Sequence, residues 1–86
     1  MEKYKIIFTK SSVKELGSIA SKDSQKILKR ISTLADNPRP ASCEKLSGRP
    51  LYRVRQGDYR IVYFVNDSGR IVDIIKIGHR REVYRR

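Results

Sequence analysis

Cysteine occurs once in this chain, as Cys43, and histidine once, as His79. One cysteine excludes an intramolecular disulfide and any cysteine zinc cluster, so a reducing, cytoplasmic setting is expected. One histidine cannot supply a zinc site with that cysteine, nor the base of a recognisable nucleophile–histidine triad. Long apolar runs are missing too: nothing approaches the roughly 20 residues needed to span a bilayer. The opening "MEKYKIIFTK" lacks the apolar core and cleavage site of a signal peptide, so neither secretion nor membrane insertion is expected. No GxxxxGK[ST] loop, no GxGxxG and no carboxylate cluster for a metal is present. No cofactor and no metal are therefore expected.

Acidic residues are also scarce. Nine Asp and Glu face twenty Lys and Arg, a net charge of +11 on 86 residues. Solubility of a small domain asks for a magnitude of only about 2–8. The cations are spread through patterned segments rather than gathered in a tail, with lysine dominant in the first half and arginine in the second. Arginine's planar fork grips phosphate bidentately, while lysine acts as a point charge. A polyanionic partner is expected, nucleic acid ahead of a membrane surface. A chain this short buries only roughly 60–70% of its unfolded surface, so residues 1–86 are expected to share one core as one domain.

The pattern along the chain predicts β-α-α-β-β-β. "YKIIF", residues 4–8, is short, apolar and β-prone. "TKSSVKELGSIA" predicts a helix capped by Ser11 or Ser12, with Glu15 completing a capping box and Val13, Leu16, Ile19 and Ala20 at helical spacing. Ser21 with Asp23 opens a second helix, whose stripe of Ile27, Leu28, Ile31, Leu34 and Ala35 predicts the buried face. "DNPRP" stops it, because a residue before proline disfavours helix. So short a link predicts an antiparallel helical hairpin. Residues 51–55, 59–65 and 70–77 then read as strands, joined by "QGD" and "NDSG", with Gly57 and Gly69 able to take positive φ. With no room for crossovers these three strands should pair antiparallel. The predicted class is α+β, an antiparallel sheet packed by one face on an N-terminal helical hairpin.

Residues two apart in a strand share a face. If Val54, Ile61, Tyr63, Ile75 and Ile77 face the helices, then Arg53, Arg55, Arg60 and Lys76 converge on the open face, with Arg80 and Arg81 at its rim. Singly, such an arginine is usually a solvated side chain. Four together, with almost no acid to pair them, describe a phosphate-binding concavity on rigid strands. Tyr52, Tyr59 and Tyr63 suit the core better than base stacking. Phe64 shares the parity of Arg60, so it either stacks on a base or lies under the tail. A metal-free set of Arg, Tyr and His suits RNA cleavage, because RNA carries its own nucleophile, the 2′-hydroxyl, and needs only alignment and charge neutralisation.

Together, "KLSGRPLYRVRQGDYRIVYFV" and "DIIKIGHRREVYRR" resemble the RelE-type toxins of the RelE/ParE superfamily, from the opening strand to "IGHRREVY". The resemblance implies a type II toxin that cuts messenger RNA in the ribosomal A site and is silenced by a cognate antitoxin protein. It implies that Arg60 stabilises the phosphate, that Arg80 is a second catalytic arginine and that Tyr84 stacks on or helps activate the substrate. Arg53 and Arg55 stand where some members carry lysine. Arginine stays protonated in proteins, so this pair suits transition-state stabilisation rather than general-base work. Lys45, Lys76, His79 and Arg81 complete the set expected to bind RNA. The partners implied are antitoxin, ribosome and mRNA, with no membrane. Two alternatives stay open: a ParE-like toxin that inhibits DNA gyrase and cuts nothing, and a plain RNA-binding module.

Overall fold

The computed structural model describes residues 3–79. Its elements are β1 (Lys5–Phe8), α1 (Lys10–Gly17), α2 (Ser21–Thr33), β2 (Glu44–Lys45), β3 (Tyr52–Gln56), β4 (Tyr59–Asn66) and β5 (Ile71–His79). The strands form one sheet in the order β1-β5-β4-β3-β2. As the turn spacing predicts, β3, β4 and β5 form an antiparallel meander. Gly57 takes φ +62° in the first turn. In the second turn the positive φ falls on Arg70, at 54°, rather than on Gly69. There the Asn66 side chain accepts from the Gly69 N–H at 3.0 Å and shapes the turn in the glycine's stead.

Two features exceed the sequence pattern. β1 lies parallel to β5, Lys5 opposite Ile71 through Phe8 opposite Ile74, so the sheet is mixed rather than wholly antiparallel. The two-residue β2 adds an edge beyond β3. A register shift between Val62 and Tyr63 places Lys76 opposite Val62 and Ile74 opposite Tyr63, leaving Ile75 as the extra residue of a bulge. The core face of β5 is consequently Val72, Ile74 and Ile77, and Ile75 is only half-buried, contrary to simple alternation.

The helices pack on the sheet, α1 against β5 and α2 against β3. Ile27 and Ile31 of α2 and its C-cap Leu34 meet Val54, Ile61, Tyr63, Val65, Val72, Ile74 and Ile77 in the core. Thr9 caps α1, its Oγ1 accepting from the Ser12 N–H at 3.1 Å, so neither Ser11 nor Ser12 is the cap. That phase buries Ser12 completely and turns Val13 outward at 56% exposure. Leu28 similarly stands at 42%, one residue off the buried edge of α2. Glu15, freed from the capping box, accepts from the Ile77 N–H at 2.8 Å and from Lys76 Nζ at 2.8 Å. It ties α1 to the stretch of β5 that β1 leaves uncovered.

A polar cluster fixes the loop after α2. Arg39 donates to both oxygens of Asp67, at 3.1 and 2.8 Å, and through Nε to the Tyr52 hydroxyl at 3.0 Å. Tyr4 donates its hydroxyl to Asp67 at 2.7 Å. Arg39 first, then Tyr4, hold the Asp67 carboxyl down to about 2, below the ordinary 3.8. Its ionised form therefore stabilises the fold fully above the ordinary value, and that contribution is lost as pH falls from about 4 through about 2. Thermal unfolding midpoints between pH 5 and pH 2 should drop more steeply for wild type than for Asp67→Asn. Parallel curves would show that the cluster contributes nothing.

Candidate functional site

The strand register decides which cations meet. Arg53 lies opposite Val62, which lies opposite Lys76; Arg55 lies opposite Arg60, which lies opposite Gly78. Arg53, Arg55, Arg60 and Lys76 thus share the sheet face turned away from the helices, as alternation predicts. On that face Ser42, Glu44, Arg53, Val54, Arg55 and Arg60 line a cleft of about 210 Å³. Arg60 is its most enclosed cation, 7% exposed on the central strand β4. Gly78 puts no side chain beside it. Arg55 is exposed, and the Arg53 side chain retains 16%.

The face is less purely cationic than the sequence suggests. Glu44, opposite Arg53 across β2 and β3, pairs with its guanidinium. Arg53 chiefly, with Arg60 and Arg55 adding, holds the Glu44 carboxyl below its usual range. Lys76 shares the face, but its amine is taken by Glu15 at 2.8 Å. Among the described residues, Glu44 thus pairs with Arg53 and Glu15 with Lys76.

Other expected residues fall elsewhere. Lys45 lies opposite Tyr52, on the opposite parity from Glu44, and does not line the cleft. His79 lies opposite Tyr59, with its ring edge-on to that tyrosine at 5.7 Å. Tyr59 shares the side of Ile61 and Tyr63, so His79 belongs to the helix side of the sheet and borders a hollow with Asp23 and Lys26. Arg80, Arg81 and Tyr84 lie outside the described residues. Tyr63 is fully buried, donating to the Pro38 carbonyl at 2.6 Å, and Tyr52 stacks on it at 5.9 Å. Neither is a base platform in this arrangement. Phe64 is half-buried on the Arg60 face, opposite Asp73. Glu44 and Ser42 are the cleft residues that strand alternation misses. They come from a two-residue strand and the loop before it, where no period can be read.

A mixed sheet covered by helices on one face is a fold this chain shares with solved toxins. The chain belongs to the RelE/ParE family of type II toxins: the family model for the ParE toxin of the type II toxin–antitoxin system, parDE, matches residues 6–84. Among its relatives is a candidate toxin of Methanocaldococcus jannaschii, RelE1, 32% identical over 87 residues, covering 96% of this chain and 97% of the relative. The RelE chain of the RelE–RelB complex from Pyrococcus horikoshii superposes with a TM-score of 0.80 at 32% identity, over 90% of this chain and 94% of that one. The E. coli RelBE toxin–antitoxin complex gives 0.79 at 28% identity, over 88% and 95%. Among the described residues no helix is long and apolar enough to cross a membrane.

Proposed function

We propose that this toxin is a ribosome-dependent endoribonuclease that cuts mRNA in the ribosomal A site. The reading rests on one observation: three arginines converge on a cleft built on the rigid β3–β4 pair. In such a reaction the 2′-hydroxyl attacks the adjacent phosphorus, the P–O5′ bond breaks, and a 2′,3′-cyclic phosphate remains. A second negative charge develops on the phosphate, and pre-aimed guanidinium groups stabilise it more than the ground state. Arg60 takes that role, with Arg53 and Arg55 gripping neighbouring phosphates. Arg80 and Tyr84 are assigned by family resemblance to the second arginine and to the stacking or activating tyrosine. Glu44 is the carboxylate among the described cleft residues, and its pairing with Arg53 favours its ionised form.

An antitoxin that silences such a cleft would be an acidic, amphipathic segment ordering over it. The RelB complexes of the structural relatives support that expectation for this chain. Work on translating ribosomes would place the toxin in the cytoplasm. The ParE description of the matched family favours a second reading, a toxin that inhibits DNA gyrase without cutting RNA. Adding the protein to a translating extract and mapping message 5′ ends by primer extension separates the two. New ends within A-site codons support the nuclease. Intact message, with gyrase supercoiling blocked in a parallel assay, supports the other.

Binding to single-stranded RNA should weaken steeply with salt. At about 0.7 log units per neutralised phosphate, the three cleft arginines give a slope near −2, and Arg80 with Arg81 would bring it near −3.5. A nearly flat titration would remove the cationic cleft as the RNA site.

A further inference from the structure

The outer edge of β5 is covered in three different ways along its length. β1 pairs with it from Ile71 to Ile74. Thr9, the cap of α1, carries the contact further: its N–H donates to the Ile74 carbonyl at 3.1 Å and its Oγ1 to the Ile75 carbonyl at 3.1 Å. Past that point, among the described residues, no strand lies on this edge, and Glu15 serves it instead. One carboxylate oxygen accepts from the Ile77 N–H at 2.8 Å and the other from Lys76 Nζ at 2.8 Å.

Both bonds belong to one register only. The bulge at Ile75 sets Lys76 opposite Val62, Ile77 opposite Ile61 and Gly78 opposite Arg60. Without the bulge, the pairing of Tyr63 with Ile74 would run on to Val62 with Ile75, Ile61 with Lys76 and Arg60 with Ile77. Lys76 would then turn towards the core, and an isoleucine would stand beside Arg60 in the cleft. The slip would also reverse which N–H groups face β4, so Ile77 would turn its N–H inward and Glu15 would lose it. The β4 backbone offers the same groups to both registers; side-chain burial and Glu15 decide between them.

The contact is suited to holding geometry more than to supplying stability. The Glu15 and Lys76 side chains keep 28% and 44% exposure, and ion pairs that water reaches contribute little. Glu15, Ile77, Gly78 and His79 border a hollow of about 320 Å³, from which water can reach the Ile77 N–H once the carboxylate is gone.

We infer that Glu15 is a positioning residue for the cleft: it locks the bulged register of residues 76–79 and so keeps Gly78, which has no side chain, beside Arg60. The inference rests on the RNA-cutting reading, which gives Arg60 its task, and extends it to a side chain on α1 that does not line the cleft. A group misplaced by about 1 Å can lose two orders of magnitude in rate, so a loosened register should show in the chemistry before it shows in the fold.

The test compares Glu15→Ala with Glu15→Gln, whose amide oxygen still accepts from the Ile77 N–H. In single turnover on ribosome-bound message at saturating toxin, Glu15→Ala should cut about ten- to a hundredfold more slowly. Its affinity for single-stranded RNA should not fall by more than about twofold, since no cleft cation is lost. Glu15→Gln should recover most of the rate. Introduced into Arg60→Ala, Glu15→Ala should make less than about a twofold further difference, because the group it positions is already gone. Residue-resolved amide exchange should quicken about tenfold or more at Ile77 and Gly78 in Glu15→Ala and stay unchanged at Ile27 and Ile31 in the core. A loss equal in both Arg60 backgrounds, or one that Glu15→Gln does not relieve, would overturn the inference. So would unchanged exchange at Ile77. If the wild-type toxin leaves the message intact, the nuclease reading fails, and the exchange measurement still decides whether Glu15 holds the register.

Discussion

Arg60→Ala is expected to cleave ribosome-bound message a hundred- to a thousandfold more slowly than the wild-type toxin. The guanidinium stands on β4, the middle strand of the antiparallel meander, with Arg55 opposite on one side and Gly78 on the other. It is 7% exposed, so little bulk water is available to weaken its field. Removing one pre-aimed donor from developing oxyanion charge typically costs about 2.7–4 kcal/mol, which gives the stated range. The substitution also deletes a buried stem, so some loss of stability will accompany it. Arg60→Lys separates the effects, retaining charge and most of the stem but not the bidentate fork, and should cleave at an intermediate rate. Single-turnover cleavage, read beside a thermal melt and antitoxin binding, decides the matter. A folded Arg60→Ala that cuts at near wild-type rate removes Arg60 from the chemistry.

Tyr63→Ala should destabilise the fold more than any substitution in the arginine cleft. The Tyr63 ring is fully buried against α2 and the neighbouring strands, stacked on Tyr52, and its hydroxyl donates to the Pro38 carbonyl. Burial pushes the phenol well above its usual range, so it stays a donor at any working pH. Aromatic-to-alanine truncations in cores cost about 3–5 kcal/mol. A small domain has only about 5–15 kcal/mol in total, so this one truncation removes a large share of it. Tyr63→Phe keeps the ring and leaves the Pro38 carbonyl without its donor, a loss of about 1–3 kcal/mol. Urea midpoints at a common slope would resolve the ranking. Equal losses for Phe and Ala would mean that the hydrogen bond, rather than the ring, holds the loop to the sheet.

The parts of the fold legible in the sequence are those set by local chemistry. β3 and β4 alternate, and each turn carries Gly with Asp or Asn, so order, direction and the shared face of Arg53, Arg55 and Arg60 follow directly. The parallel docking of β1 on β5 is not legible, because no turn joins the two strands. The bulge at Ile75 hides among isoleucines that look alike; only the pairing of Val62 with Lys76 and of Tyr63 with Ile74 reveals it. The sequence points to Ser11 or Ser12 as the cap of α1, with Glu15 three residues after Ser12 as a capping box requires, whereas the observed cap is Thr9. Tertiary bonding to β5 claims Glu15 instead. That contact also withdraws Lys76 from the open cations, as Glu44 does for Arg53. His79 lies off the cleft face for a plainer reason: one residue beyond Gly78, alternation sends it to the Tyr59 side. The cleft's arginines are readable from period two, and its acid is not.

The most direct test of the proposed chemistry is a message in which the nucleotide 5′ to the cleavage point carries 2′-deoxyribose, bound in a ribosome complex with that codon in the A site. The all-ribose message should be cut by the wild-type toxin to leave a 2′,3′-cyclic phosphate, and the deoxy message should stay intact, since its nucleophile is gone. Cleavage of the deoxy message at the same rate would contradict attack by the 2′-hydroxyl and with it the role given to the arginine cleft.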